Sequence, residues 1–134
     1  MAMAARGDGC AHYTAITSVF PTTTVAALGS LNSGEAPVGH GLLGYTLHLA
    51  EFGTVAEMVR WGPLGQCGSF TDPEHGSANP EQFFWAETLY RRLQAAGVAR
   101  TVAVNPSSFA GTALTRMLHQ GAEYMATSPP RRSR

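Results

Sequence analysis

The chain has 134 residues, of which 44% are hydrophobic and 13% charged, with a formal net charge of zero. That is enough apolar material for one modest core, and the neutral balance leaves no electrostatic footprint for nucleic acid and no polybasic membrane anchor. A charged fraction well below the usual level of about 25% points to surface that packs against something else.

In chain order, residues 1–12 (MAMAARGDGCAH) hold no apolar core of the kind a secretory signal needs, and are expected to be a disordered N-terminus. No run approaches the roughly eighteen apolar residues that span a bilayer. Cys10 and Cys67 form neither a C-x-x-C pair nor a disulfide framework, so both are expected as reduced thiols of a cytoplasmic protein. Tyr13 to Phe20 alternates weakly and is rich in β-branched and aromatic residues, which predicts a strand. Thr24 to Leu31 predicts a short helix, with Val25, Leu28 and Leu31 at helical spacing and Gly34 just past its end. Gly34 to Gly44 is glycine-rich and contains Pro37, so it reads as a loop.

Gly44 to Leu49 and Thr54 to Trp61 fit two strands joined around Gly53, although Val55, Met58 and Val59 also fit a short helix. Gly62 to Asn79 is a breaker-rich loop, and within it Asp72-Pro73-Glu74-His75 reads as an exposed turn. Asn79, Pro80 and Gln82 form a helix start, and Trp85, Leu89, Leu93 and Ala96 continue an apolar stripe to the stop at Gly97. Phe83, Phe84 and Trp85 are expected in the core. Thr101 to Val104 reads as a buried strand ended by Asn105-Pro106, and Thr112 to Gln120 as a last short helix. Residues 127–134, ending Pro129-Pro130-Arg131-Arg132-Ser133-Arg134, are expected to be a disordered tail. Helix followed by strand through short connections is an α/β rhythm, here within one domain over residues 13–126.

The segment Ser18 to Leu28 concentrates the chemistry. A strand that stops at Pro21, turns through Thr22, Thr23 and Thr24 and enters a helix can aim a hydroxyl from a helix N-terminus, where free N–H groups and the dipole favour an anion. The same residues also fit a plain helix start in which Thr22 or Thr23 is the cap.

Pro21, Thr22 and Thr24, then Ser33-Gly34, Pro37 and His40-Gly41, match a Pro-(Thr/Ser)-x-Thr, Thr-Gly or Ser-Gly, Pro, His-Gly pattern at fixed offsets. In this the chain resembles the type I phosphodiesterase/nucleotide pyrophosphatase family of the alkaline phosphatase superfamily. Leu42 to Leu49, Glu51-Phe52-Gly53, Met58 to Trp61, Leu89 to Leu93 and Phe109 to Arg116 extend the likeness to a bacterial branch of that superfamily, over residues 13–126. The resemblance implies a partial alkaline-phosphatase-like sandwich, a central sheet flanked by helices and truncated at both ends. It further implies hydrolysis of phosphate esters through a threonine nucleophile at Thr24, which is also a metal contact, beside two divalent metals, usually zinc. The partner it implies is a phosphate-ester small molecule.

Family enzymes surround those metals with three aspartates and three histidines, whereas this chain has two aspartates, Asp8 and Asp72. Asp8-Gly9 lies too close to Thr24 to leave room for an intervening helix and strand, and Asp72 and His75 have the wrong spacing. The expectation is an internal piece of a larger enzyme that carries the nucleophile without its metals and is inactive alone, with open edges that favour self-association. Where nucleotide pyrophosphatases place an asparagine after the His-Gly, the chain has Tyr45, which either helps bind substrate as a single donor or packs at a strand start. His40 is either a loop-shaping residue bonded to backbone or a metal ligand; His12, His48, His75 and His119 have no zinc spacing. Two other readings are a non-catalytic, anion-binding remnant and a short-chain dehydrogenase fragment, the latter needing a Tyr-x-x-x-Lys pair in a chain that has no lysine.

Overall fold

Helix α1 (Thr24–Ser33) begins where the Thr23 side chain accepts the Ala26 N–H at 3.3 Å. It ends at Gly34, whose φ of 75° only glycine adopts freely and whose N–H closes on the Ser30 carbonyl. A computed structural model describes residues 14–128. After α1 the glycine-rich segment, expected as loop, forms a single turn of helix, α2 (Pro37–His40), opened by Pro37 and closed at Gly41. The two expected strands are present as β1 (Thr46–Leu49) and β2 (Thr54–Glu57), an antiparallel pair that runs from Thr46 opposite Glu57 to Leu49 opposite Thr54. The second stops at Glu57 instead of Trp61, where the Trp61 N–H closes a turn on the Glu57 carbonyl. A short 3-10 turn (Ala50–Phe52) and Gly53 join them, and β3 (Gly62–Pro63) adds a third strand beside β2.

The chain then passes through a 3-10 turn (Pro73–His75) into α3 (Pro80–Phe83) and α4 (Leu89–Ala95). Strand β4 (Val102–Pro106) leads through α5 (Ala113–Leu118) to β5 (Glu123–Thr127), which lies parallel to β4 with Val102 opposite Glu123. The result is a mixed α/β arrangement with two small sheets, one three-stranded and antiparallel, the other two-stranded and parallel. A single central sheet flanked by helices is not formed among the described residues.

Several sequence expectations need correction. Residues 14–19 form no strand, and Ile16 and Phe20 stand 88% and 90% exposed. Alternation alone does not hold a strand; it needs a neighbour to bond to and a face to bury, and the described sheets offer this segment none. The long helix expected from Asn79 to Gly97 is two helices. The Asn79 side chain caps α3 through the Glu81 N–H, but Phe84 then turns into the core, and Thr88 starts α4 as a second N-cap by accepting the Arg91 N–H. The Thr88 hydroxyl also donates to the Gln120 carbonyl, which fixes the break against the end of α5. Trp85, expected on the apolar stripe, therefore projects outward, 77% exposed. Strand β4 buries Ala103 but leaves Val104 exposed, so it is covered on one face.

The core joins Val25 of α1, Leu42, Leu49 and Ala56 of the hairpin, Met58, Trp61, Phe70, Phe84, and Met117 and Leu118 of α5. Trp61 is its largest member; its Nε1 donates to the Ala78 carbonyl at 2.9 Å, and Phe70 packs edge-on against it. Phe52 stacks on Phe70 at 4.3 Å, so the long 62–79 segment, expected as loop, is tied down by aromatic packing in addition to the β3 pairing at its start and the 3-10 turn within it.

Helix α1 meets α2 at a point with no room to spare. A Cβ at Gly29 would lie 2.5 Å from Cε1 of the buried His40 ring. That ring is held by two hydrogen bonds and has no path of retreat. Gly29→Ala is expected to destabilise the chain by about 1–3 kcal/mol, the usual cost of overpacking a filled core, despite the better helix propensity of alanine. Urea denaturation of the two proteins measures this; equal midpoints would contradict the packing described.

Candidate functional site

The three threonines before α1 are not equivalent. Thr23 is the cap, its hydroxyl spent on the Ala26 N–H, while Thr22 stands one residue outside. Thr24 occupies the first helical position, is exposed, and its hydroxyl makes no hydrogen bond among the described residues. Immediately after it Val25 and Ala26 are fully buried, so the first turn is anchored in the core while its N-terminal end faces outward. The first N–H groups of a helix lack intrahelical acceptors and carry the positive end of its dipole, and no acidic side chain of this first turn competes for them.

His40 is held away from solvent. Its Nδ1 accepts the Leu42 N–H at 3.2 Å and its Nε2 lies 3.0 Å from the Ser30 hydroxyl. Accepting a backbone N–H requires an unprotonated Nδ1, so the ring is the neutral Nε2–H tautomer and donates to Ser30 Oγ. Burial lowers its pKa from the ordinary histidine value, with the nearby Glu35 carboxylate and the Ala26 and His40 backbone carbonyls acting the other way. Both ring nitrogens are thereby engaged, which makes His40 the loop-shaping residue and leaves no lone pair for a metal.

Tyr45 precedes β1, and its carbonyl accepts the Met58 N–H. Its hydroxyl donates to Glu57 Oε1 in a short contact, and that hydrogen bond raises the phenol pKa. Arg60 approaches the other oxygen of Glu57 at 3.4 Å. The one donor of Tyr45 is therefore engaged within the hairpin, and no hydrogen bond links it to Thr24 among the described residues. Glu57 and Arg60 were not singled out from the sequence. The signal was available in the hairpin register, which sets Glu57 opposite Thr46, next to Tyr45.

The remaining histidines and acids stay apart. His48 is exposed on β1, and His119 sits between Tyr90 and Tyr124, with burial lowering its pKa. Asp72 accepts the Ser69 N–H at 2.8 Å, which makes its segment the exposed turn expected of it. Among the described residues no three His, Cys, Asp or Glu side chains are grouped to hold a metal ion. The donor set of a dizinc centre is thus not met by these residues, and Thr24 has no carboxylate or imidazole hydrogen-bonded to it. Asp8, Cys10 and His12, with the rest of residues 1–12, and the tail from 129 onward lie outside the described residues. Thr127, expected in a disordered tail, is instead the last residue of β5, opposite Pro106. No described helix is long and apolar enough to cross a membrane.

An open cleft of about 390 Å³, not anticipated from the sequence, is lined by Glu81, Arg91, Thr115, Arg116, His119 and Tyr124 among others. Of its two arginines, Arg116 is already balanced, since it binds Glu81 at 3.1 Å and Asn79 at 3.0 Å.

No protein-family model, curated protein or solved structure matches this chain.

The distinction between neighbouring hydroxyls is measurable. Thr23→Ala is expected to cost about 1 kcal/mol, the usual value of an N-cap, whereas Thr24→Ala should fall within about 0.5 kcal/mol of the parent, as an exposed site does. Denaturant midpoints of both variants decide it, and a reversed order would move the cap to Thr24.

Proposed function

We propose that this chain carries the nucleophile-bearing segment of a metal-dependent phosphodiesterase or nucleotide pyrophosphatase, with Thr24 as the attacking residue. The observation that supports it is the free, exposed Thr24 hydroxyl at the start of a core-anchored helix, directly beside a threonine that takes over the capping. The likeness of Pro21, Thr22, Thr24, Gly34, Pro37 and His40-Gly41 to the family pattern adds the direction of that chemistry. In the reading proposed, the two small sheets and their helices are parts of the larger sandwich that such an enzyme forms.

In that reaction the Thr24 oxygen bonds to phosphorus as the ester oxygen departs, and water then cleaves the phosphothreonine. The helix N-terminus favours the anionic phosphoryl group through its free N–H groups. The hydroxyl proton needs an acceptor, and no described side chain stands within hydrogen-bonding distance of Thr24 to take it. Zinc would supply that activation in the family, but the described residues do not form its ligand set, so no step here runs through it. Tyr45 would contribute to phosphoryl binding only on exchanging Glu57 for substrate. The same missing acceptor favours a second reading, in which the chain is a non-catalytic relative that retains the anion-favouring turn.

Release of nitrophenolate from bis(p-nitrophenyl) phosphate, with and without added Zn²⁺, tests the proposal. The chain alone is expected to match the buffer rate, and Thr24→Ala to change nothing. Zinc-dependent release that survives Thr24→Ala would remove Thr24 from the nucleophile role. Release abolished by that substitution would keep the role and show that the chain contains a complete centre.

A further inference from the structure

We propose that His40 is an acid-sensitive latch: as a neutral ring it fastens α1 to the turn after α2, and on protonation it releases that turn. The inference stands apart from any catalytic role of Thr24. It rests on a specific polarity. The Leu42 N–H points at Nδ1 of a fully buried ring, while Nε2–H serves Ser30 Oγ on α1. An imidazolium keeps the second bond but turns Nδ1 into a donor, which sets two N–H groups face to face at a separation of 3.2 Å. The ring cannot swing aside to relieve this, because Gly29 presses on one face and Phe84 packs at 5.9 Å. Either the turn that carries Gly41 and Leu42 opens, or the proton is refused.

The charged surroundings do little to prevent the conflict. Helix α1 contributes no titratable side chain, and the Phe84 segment presents an apolar ring. Glu35 is the carboxylate that favours the charged ring, but Arg92 of α4 lies 4.0 Å from it and is itself 3.9 Å from Glu87. The Ala26 and His40 backbone carbonyls also favour the charged ring, but burial outweighs them and Glu35 together, so the folded chain holds the proton less tightly than the unfolded chain. With the native pKa below the ordinary value of about 6.5, the unfolded state binds more protons as pH falls. The latch is therefore fully effective above about pH 6.5 and weakens below it. His119 shifts in the same direction through burial and adds to any global effect, which calls for a local readout.

Amide hydrogen exchange followed by NMR on the whole chain gives that readout, together with the ¹⁵N shifts of the His40 ring. The expected result is an Nε2–H tautomer at pH 8 and a protection factor at the Leu42 amide, corrected for intrinsic rates, that falls about tenfold or more between pH 7.5 and pH 5. Tenfold is about the loss of one buried hydrogen bond. His40→Gln, which can accept the Leu42 N–H without titrating, should show a flat profile at that amide, and His119→Gln should retain the fall. A Leu42 protection factor unchanged down to pH 5, an Nδ1–H tautomer at pH 8, or an equal fall in His40→Gln would each overturn the proposal. The tautomer and the titration of the parent decide the matter even if a variant does not fold.

Discussion

One buried imidazole governs the half of the molecule that carries the candidate site. His40 is fully enclosed, and it joins α1, the α2 turn and the Phe84 segment through two hydrogen bonds and a ring contact. A buried polar group without partners costs about 1–3 kcal/mol, so the geometry that satisfies both nitrogens is strongly selected. That geometry in turn dictates the residues around it. Position 29 must be glycine because the ring occupies the space of a side chain, and Ser30 must offer an oxygen at the right height on the helix. The end of α1 is then fastened from the other side by Arg92, which donates to the Ser33 carbonyl. The orientation of Thr24 follows from how this helix is held, although no hydrogen bond among the described residues holds the Thr24 hydroxyl itself.

The rest of the chain is organised around Trp61 and around α5. Trp61, Phe70, Phe52 and Phe83 bind the hairpin to the long loop and to α3. Polar bridges then tie α3 to α5, with Arg116 reaching Asn79 and Glu81, and Gln120 donating to the Glu81 carbonyl. Against this well-connected interior stands a set of large exposed apolar side chains, including Ile16, Phe20, Leu31, Val38, Trp85 and Val104. A parallel sheet is ordinarily covered on both faces, yet β4 and β5 leave Val104 and Met125 exposed. Such surface fits the proposed role as a piece of a larger α/β enzyme.

Local signals in the sequence were reliable wherever they had a local cause. Strand β4 runs on through Asn105-Pro106, which were expected to end it, and is buried on one face only, but the helix from Thr24 with its stop at Gly34, the hairpin around Gly53 and the Asn79-Pro80 helix start are all observed. They rest on caps, turns and period, which depend on neighbours in the chain. The failures share the opposite cause. Tyr13 to Phe20 has the pattern of a strand, but strands exist by pairing, and Trp85 has the spacing of a core residue but is turned outward where Thr88 bonds the Gln120 carbonyl, a partner 32 residues away. The capping alternative at Thr22 or Thr23 was undecidable from composition and is resolved by the bond to Ala26. His40 was legible as a loop-shaping histidine, but its dependence on Gly29 and Ser30 was not, since helix residues ten positions earlier give no sign of what will pack on them.

The central functional claim is that Thr24 is the nucleophile of an enzyme whose metal ligands lie elsewhere. The most direct measurement is the genomic sequence on both sides of this reading frame, translated in every frame. The account predicts a strand ending in Asp-Gly upstream, and an Asp-x-x-x-His segment with an Asp-His pair downstream. Flanks that hold neither would contradict it, and would leave the exposed Thr24 hydroxyl as an ordinary first residue of a well-capped helix.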